Sequence, residues 1–298
     1  MRRLTYTDPN GISYVLNDDI TASLKQGGLR GFGVPRLELA TQRVPYQSGV
    51  ALLGDPYMPS REMRVALDVS KATFGARIAW ERALRRNLSP FKASGVLGTL
   101  TVEDTDNAVT RAIDCWMTEC PDSEYLGPSV STVFVGFLAP DPWFYDPTAR
   151  VETLAMSGGG VTFPVTFPVT FGATGINGNI YANNPGDIEA WPLVRIQATG
   201  GSNPELENVT TGKTIALTAG AGITLDVGDY IDIDMAEATV EWYDASVYDA
   251  EPEPITELLS DESEFWSIIT GGNTIHVTMP GATSGSVMLI YKPRYLAA

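Results

Sequence analysis

The sequence predicts an all-β protein with two domains and a single helix, and three observations carry that expectation. Short runs of β-branched and aromatic residues recur between Gly, Asn, Asp and Pro turns along nearly the whole chain. Only one stretch, Ser70 to Leu88, spaces its apolar residues at helical period. Near the middle, VFVGFLAPDPWFYDP ends a strand in three prolines and three aromatics, which is the composition of a domain edge, because proline cannot extend a ladder.

Taken in order, YTDPNGISYVL (Tyr6 to Leu16) sets an Asp-Pro-Asn-Gly turn between two extended runs and reads as a hairpin. Leu24 to Leu39 is glycine-rich but lacks the Gly-Lys-Ser/Thr ending of a phosphate loop, so it reads as a flexible loop. Thr41 to Pro59, TQRVPYQSGVALLGDPYMP, is an extended arm whose apolar centre Val50, Ala51, Leu52 and Leu53 needs a cover that a surface loop does not supply. REMRVALDV alternates as a strand with one buried face.

SKATFGARIAWERALRRNL follows as an amphipathic helix, with Phe74, Ile78, Ala79 or Trp80, Leu84 and Leu88 inward, Ser70 or Thr73 as cap, and Arg77, Arg82, Arg85 and Arg86 on a solvated face balanced by Glu81. Strands over 97–102, 112–118 and 130–138 complete a domain of residues 1–150. A connector is expected over 151–175, where VTFP occurs twice and VTF a third time. A β-sandwich is expected over 176–298, where strands and turns alternate every eight to twelve residues or so.

Charge separates the halves. Residues 1–150 hold 16 Lys+Arg against 17 Asp+Glu, a net of −1, while 151–298 hold 4 against 19, a net of −15. So acidic a second half repels nucleic acid. No apolar run reaches the roughly 18 residues of a membrane span, and the N-terminal MRRLTYTDPNG has no apolar stretch behind its arginines, so neither insertion nor secretion is expected. Cys115 and Cys120 read as reduced thiols.

Reactive constellations are sparse. His276 is the sole histidine and sits in a strand pattern, no nucleophile has a visible base, and the run Asp226, Asp229, Asp232, Asp234 lacks the spacing of a calcium loop. We therefore expect no enzyme, no cofactor and no metal. Trp191, Trp242, Tyr243, Tyr248 and Trp266 are the residues that would stack on sugar rings if the sandwich bound glycans, although strand patterning favours them as core.

The order of these features resembles the distal tail protein family of long-tailed, non-contractile bacteriophages. YTDPNG with its strand, the arm around RVPYQSGV, REMRVALDV, the helix at about Lys71 to Asn87 and the closing VFVGFLAPDPWFYDP are similar to that family's N-terminal domain. NNPGDIEAWPLVRI, ITLDVGDYIDID and VMLIYKPRY resemble its C-terminal galectin-like, carbohydrate-module-like sandwich. PYQSG stands where a PGQDG-like stretch is more usual.

The resemblance implies a structural virion protein at the tail tip, assembled in the host cytoplasm. It implies a homohexameric ring between the tail tube protein and the tail hub or fibre proteins, with DNA passing through the lumen without specific binding. The alternative is a carbohydrate-binding adsorption module that recognises host surface glycans.

Overall fold

A computed structural model describes residues 2–18, 20–46, 48–89, 96–155, 175–220, 222–247 and 251–298, with the backbone alone at 120–122. Two compact units emerge: Met1–Pro147 with Tyr295–Ala298, and Thr148–Arg294. The chain thus leaves the first unit after Pro147 and returns to it for its last four residues.

In the first unit, β1 (Arg2–Thr7) pairs with β2 (Ser13–Val15) around the expected turn, where Asp8 accepts from the amides of Asn10 and Ile12 and Gly11 takes a positive φ of 80°. β3 (Ala22–Arg30) is a strand where the sequence reading placed a flexible loop. Its glycines are absorbed by a bulge, for the register to the next strand shifts between Leu24 and Leu29. The arm then carries β4 (Thr41–Gln42) and β5 (Ala51–Leu52), and the chain re-enters the sheet as β6 (Arg61–Ser70).

Helix α1 (Phe74–Asn87) follows, with Thr73 as N-cap accepting from the Ala76 amide. Among the described residues it is the only α-helix. β7 (Gly98–Asp104), β8 (Val109–Tyr125), β9 (Val130–Ala139) and β10 (Phe144–Tyr145) complete the unit.

The strand order is β2-β1-β7-β8-β9-β6-β3, all neighbours antiparallel, with β10 attached to β8. β8 turns the corner: up to Cys115 it pairs with β7, and from Trp116 with β9 through two register shifts. The sheet therefore folds on itself around one core. Leu4, Leu100 and Ile113 come from one flank, Val65, Leu67, Val135 and Phe137 from the other, and Leu84 and Leu88 from α1.

In the second unit, the sheet order β11-β20-β13-β16-β17-β18 comprises β11 (Arg150–Ala155), β13 (Leu193–Thr199), β16 (Tyr230–Asp234), β17 (Thr239–Tyr243), β18 (Glu253–Pro254) and β20 (Ser284–Tyr291). A second sheet, β12-β19-β14-β15, comprises β12 (Gly175–Asn184), β14 (Glu205–Asn208), β15 (Lys213–Ala216) and β19 (Gly271–Pro280). Inward residues of both sheets share one core, including Ile180, Val277, Ile196 and Ile231, as strict alternation requires of a sandwich. A short β21 (Arg294–Tyr295) marks the return to the first unit.

Where the sequence reading began a connector, at 151, the structure has strand β11, registered against β20 from Arg150↔Tyr291 to Ala155↔Ser286. The VTFP repeat lies outside the described residues.

The helix packs through Leu84 and Leu88 as its spacing predicts, but the inward positions of its first two turns are ionic rather than apolar. Phe74 is exposed, while Arg77 and Glu81 are each 1% exposed and bonded to each other at 2.6 Å. Arg77 also donates to the Pro128 carbonyl and lies over the rings of Tyr125 and Phe74, and the Ser131 hydroxyl donates to Glu81. Arg77 is therefore an interior residue rather than part of a solvated arginine face.

Candidate assembly surface

The arm grows from a rigid root. At its entry Gly31 has φ +79°, and a Cβ there would sit 2.0 Å from the Glu62 carbonyl oxygen, so only glycine fits between the two limbs. At its exit Arg61 turns inward and is 3% exposed. Its guanidinium donates to the carbonyls of Gly31 (3.0 Å), Gly33 (2.9 Å), Pro142 (2.6 Å) and Leu296 (2.8 Å) and lies over the Phe144 ring. Burial pulls its pKa down to about 10, partly offset by Asp141, so it stays charged at neutral pH and each bond is charge-assisted. The last residues are tied in at the same place, for the Ala298 amide donates to the Phe32 carbonyl.

Beyond the root the arm is thin. Glu38 and Tyr57 exchange backbone bonds of 2.9 and 3.1 Å, and the Tyr57 hydroxyl donates to Glu38 Oε2 at 2.6 Å. That bond raises the Tyr57 pKa. The Leu53 amide donates to Ala40, and β4 pairs with β5 at Thr41↔Leu52 and Gln42↔Ala51. Gly49 and Gly54 take positive φ of 100° and 132° on either side of the second limb's apolar run.

That run is bare: Val50 is 60%, Leu52 62% and Leu53 58% exposed, with Ala51 half-buried. The structure thus brings Val50, Ala51, Leu52 and Leu53 together on a hairpin limb outside the core of its unit. At the arm's base the two limbs flank a groove of about 520 Å³ in which the charged Arg36, Glu38, Arg61 and Glu62 stand beside Val34 and Pro59.

The proposed glycan-stacking residues do not form one platform. Trp266 is 0% exposed in the sandwich core, so it has no face to offer a sugar and its assignment is corrected. Trp242 is partly buried against the same core, with its indole nitrogen inside. Trp191 is exposed, and Tyr248 lies outside the described residues.

Tyr243 belongs to a group the sequence did not reveal. Its ring stacks on Tyr230 at 4.3 Å, Arg195 lies over Tyr230, and Arg195 bonds Asp232 through two nitrogens at 2.7 and 2.6 Å. The carboxylate raises the Arg195 pKa, while burial and then Glu241 raise that of Tyr243. Asp232 is thereby committed to an arginine, and Asp229 accepts from the Asp226 and Ala245 amides, which accounts for two carboxylates of the acidic run as fold contacts. His276 is oriented by Asn179 at 2.8 Å within the β12–β19 pair. Among the described residues no helix is long and apolar enough to cross a membrane.

A folded-over sheet with a projecting apolar hairpin, joined in one chain to an acidic sandwich, defines an all-β protein of two units. Residues 185–295 match the family model of the siphovirus-type tail component, C-terminal domain. No curated protein matches the sequence.

Among solved structures, the chain is similar to the SPP1 Dit (gp 19.1) protein, described as a paradigm of the hub adsorption apparatus in Gram-positive infecting phages. The TM-score is 0.67 at 13% identity, over 99% of each chain. Chains of the phage p2 baseplate in its activated conformation, with Ca and with Sr, align with TM-scores of 0.49 at 10% and 11% identity over 97% of this chain and 98% of theirs. The family model thus covers a stretch within the second unit, and the likeness of fold extends over the whole chain, both in keeping with the order of motifs in the sequence.

Proposed function

We propose that the protein is the structural ring of a phage tail tip. Six copies close through their first units at the distal end of the tail tube, connecting the tube to hub or fibre proteins and leaving a lumen for DNA. The observation that carries this reading is the arm. Three large aliphatic residues stand bare on a limb held at its root by a buried arginine, and a contiguous apolar run exposed in this way is the mark of a contact surface. The family match is to a tail component, which supports the location in the virion, and no reaction is assigned. A net charge of −16 per copy favours DNA transit without adhesion if acidic residues line the lumen.

Native mass spectrometry of the purified chain and electron microscopy of assembled tails test the ring. Six-fold rings are expected, and a strict monomer within intact tails would end the reading.

One observation favours a second role for the second unit, glycan adsorption: Arg195, Tyr230, Asp232 and Tyr243 form a fixed aromatic and charged group on the six-stranded sheet. A glycan array decides it. Binding that is lost in Tyr243→Ala supports adsorption, and an array without signal removes it.

A further inference from the structure

The first unit's sheet carries positive charge that the fold leaves uncompensated, and we infer that the hollow at the bulge of β3 is a binding site for a phosphate group. This inference stands apart from the ring reading, since it uses no residue of the arm.

The bulge makes the hollow. β3 leaves register with β6 between Leu24 and Leu29, so Lys25 to Gly28 stand opposite Ala66 alone. Gly28 lets this stretch close down on β6, because a Cβ there would lie 2.8 Å from the Ala66 carbonyl oxygen, and Gly27 turns it with a φ of +69° and open space around it. The result is a cavity of about 300 Å³, at the lower end of the range of small-ligand sites. Ala66 and the half-buried Phe134 line it from β6 and β9; its charged residues are Lys25, Arg30 and Arg64, with no carboxylate among them.

Two neighbouring hollows show the same charges compensated. In the groove at the arm's base, Arg36 and Arg61 stand with Glu38 and Glu62, and in a hollow of about 440 Å³ beside the bulge, Arg30 and Arg64 stand with Glu62 and Glu119. At the bulge only Arg64 has a carboxylate partner, Glu119, which does not line that cavity. Among the described residues Lys25 and Arg30 form no ion pair.

Register sharpens the point. Arg30 lies directly opposite Arg64 on the adjacent strand and both are exposed, an arrangement of like charges that repels unless an anion lies between them. A phosphate has enough oxygens to engage both guanidiniums and the Lys25 ammonium together, where a carboxylate has two. β3 is also an edge strand, and bare backbone amides at a sheet edge add to anion binding. Because such a contact reads no base, the phosphate belongs either to a small phosphate compound or to a nucleic-acid backbone.

Calorimetric titration of the full chain with inorganic phosphate at low salt tests the site. Binding is expected, weakened about tenfold or more in Arg30→Gln and in the same direction in Lys25→Gln. It should be unchanged in Arg82→Gln, which removes an exposed cation of α1 and controls for net charge. Melting separates a binding role from a structural one: without phosphate, Arg30→Gln relieves two opposed like charges and should raise the first unit's melting temperature by about 1–3 °C.

Fluorescence anisotropy of a labelled single-stranded DNA oligomer distinguishes the two sources. DNA that binds more tightly than phosphate, with a salt slope that falls by about 0.7 in Arg30→Gln, identifies a nucleic-acid backbone. DNA that binds no more tightly identifies a small phosphate compound. Absence of binding by both probes, an equal loss in Arg82→Gln, or a lowered melting temperature in Arg30→Gln would overturn the site.

Discussion

Charge and hydrocarbon are distributed in opposite ways in the two units. In the first, Arg61, Arg77 and Glu81 lie in the interior while Val50, Leu52, Leu53 and Tyr57 stand in water. In the second, the interior is a continuous aliphatic cluster from both sheets, and the two buried aspartates, Asp229 and Asp232, are satisfied by nearby amides and Arg195. A unit that buries ions and exposes aliphatics gives up stability of its own for fixed geometry and an open surface. The ring proposed above draws on this difference, since it places association on the bare arm of the first unit rather than on the acidic sandwich.

The sharpest way to break this comparison is to remove one member of the interior ion pair. Glu81→Ala leaves the Arg77 guanidinium buried without its carboxylate, and about 3–5 kcal/mol of the first unit's stability should be lost. Calorimetry should show the transition of the first unit fall while that of the second stays. Replacing both, Arg77→Met with Glu81→Leu, should recover most of the loss, because two apolar groups impose no ionic desolvation. If Glu81→Ala costs no more than a surface change, the pair is not the interior feature described here.

Core truncation in the second unit is the matching experiment. Ile231→Ala, at a position with no exposure, should cost about 2–5 kcal/mol and move only the second unit's transition.

At the arm the expectation reverses: Leu53→Asp should change monomer stability by less than about 0.5 kcal/mol, since the side chain contributes little to its own core. A large loss in chemical denaturation would place the arm inside its own domain.

The smallest effect is at Asp18. Burial pushes its pKa up, but bonds from the Thr21 hydroxyl and the amides of Ala22, Thr21 and Ile20 outweigh that and hold it well below the usual carboxylate range. A depressed carboxylate contributes stability that is present above its unfolded pKa of about 3.9 and lost as pH falls through the folded value. Asp18→Asn should therefore flatten the acid side of the first unit's stability profile. The exposed position keeps the effect small, and an unchanged profile would refute it.

Much of the fold was legible because alternation is a local property. Arg61 to Ser70 and Gly271 to Pro280 repeat buried and exposed residues in the sequence as they do in the sheet. The hairpin at Asp8 was equally plain, since its turn residues act on their own backbone. The bare arm was legible too: an aliphatic run between prolines and glycines has no partner within reach along the chain.

What was not legible depends on residues far apart. The strand at Ala22–Arg30 looked like a loop because its glycines serve a bulge against β6, and Gly28 is needed where a Cβ would lie 2.8 Å from the Ala66 carbonyl oxygen. The packed face of α1 looked apolar because helical periodicity counts hydrocarbon, whereas Pro128, Tyr125 and Ser131 supply the partners that let Arg77 and Glu81 lie inside. The Arg195 group joins residues from three strands and has no spacing to find.

By itself the sequence determined the all-β class, one helix among strands, the acidic second half and an aliphatic run on an extended arm, because turn chemistry, periodicity and net charge are sums over neighbours. Only the tertiary structure decided that Arg61 closes the root of that arm. Its four acceptors come from residues 31, 33, 142 and 296, and no local rule brings carbonyls so distant in the chain to one guanidinium. A buried charge is tolerated only where the whole fold delivers its partners.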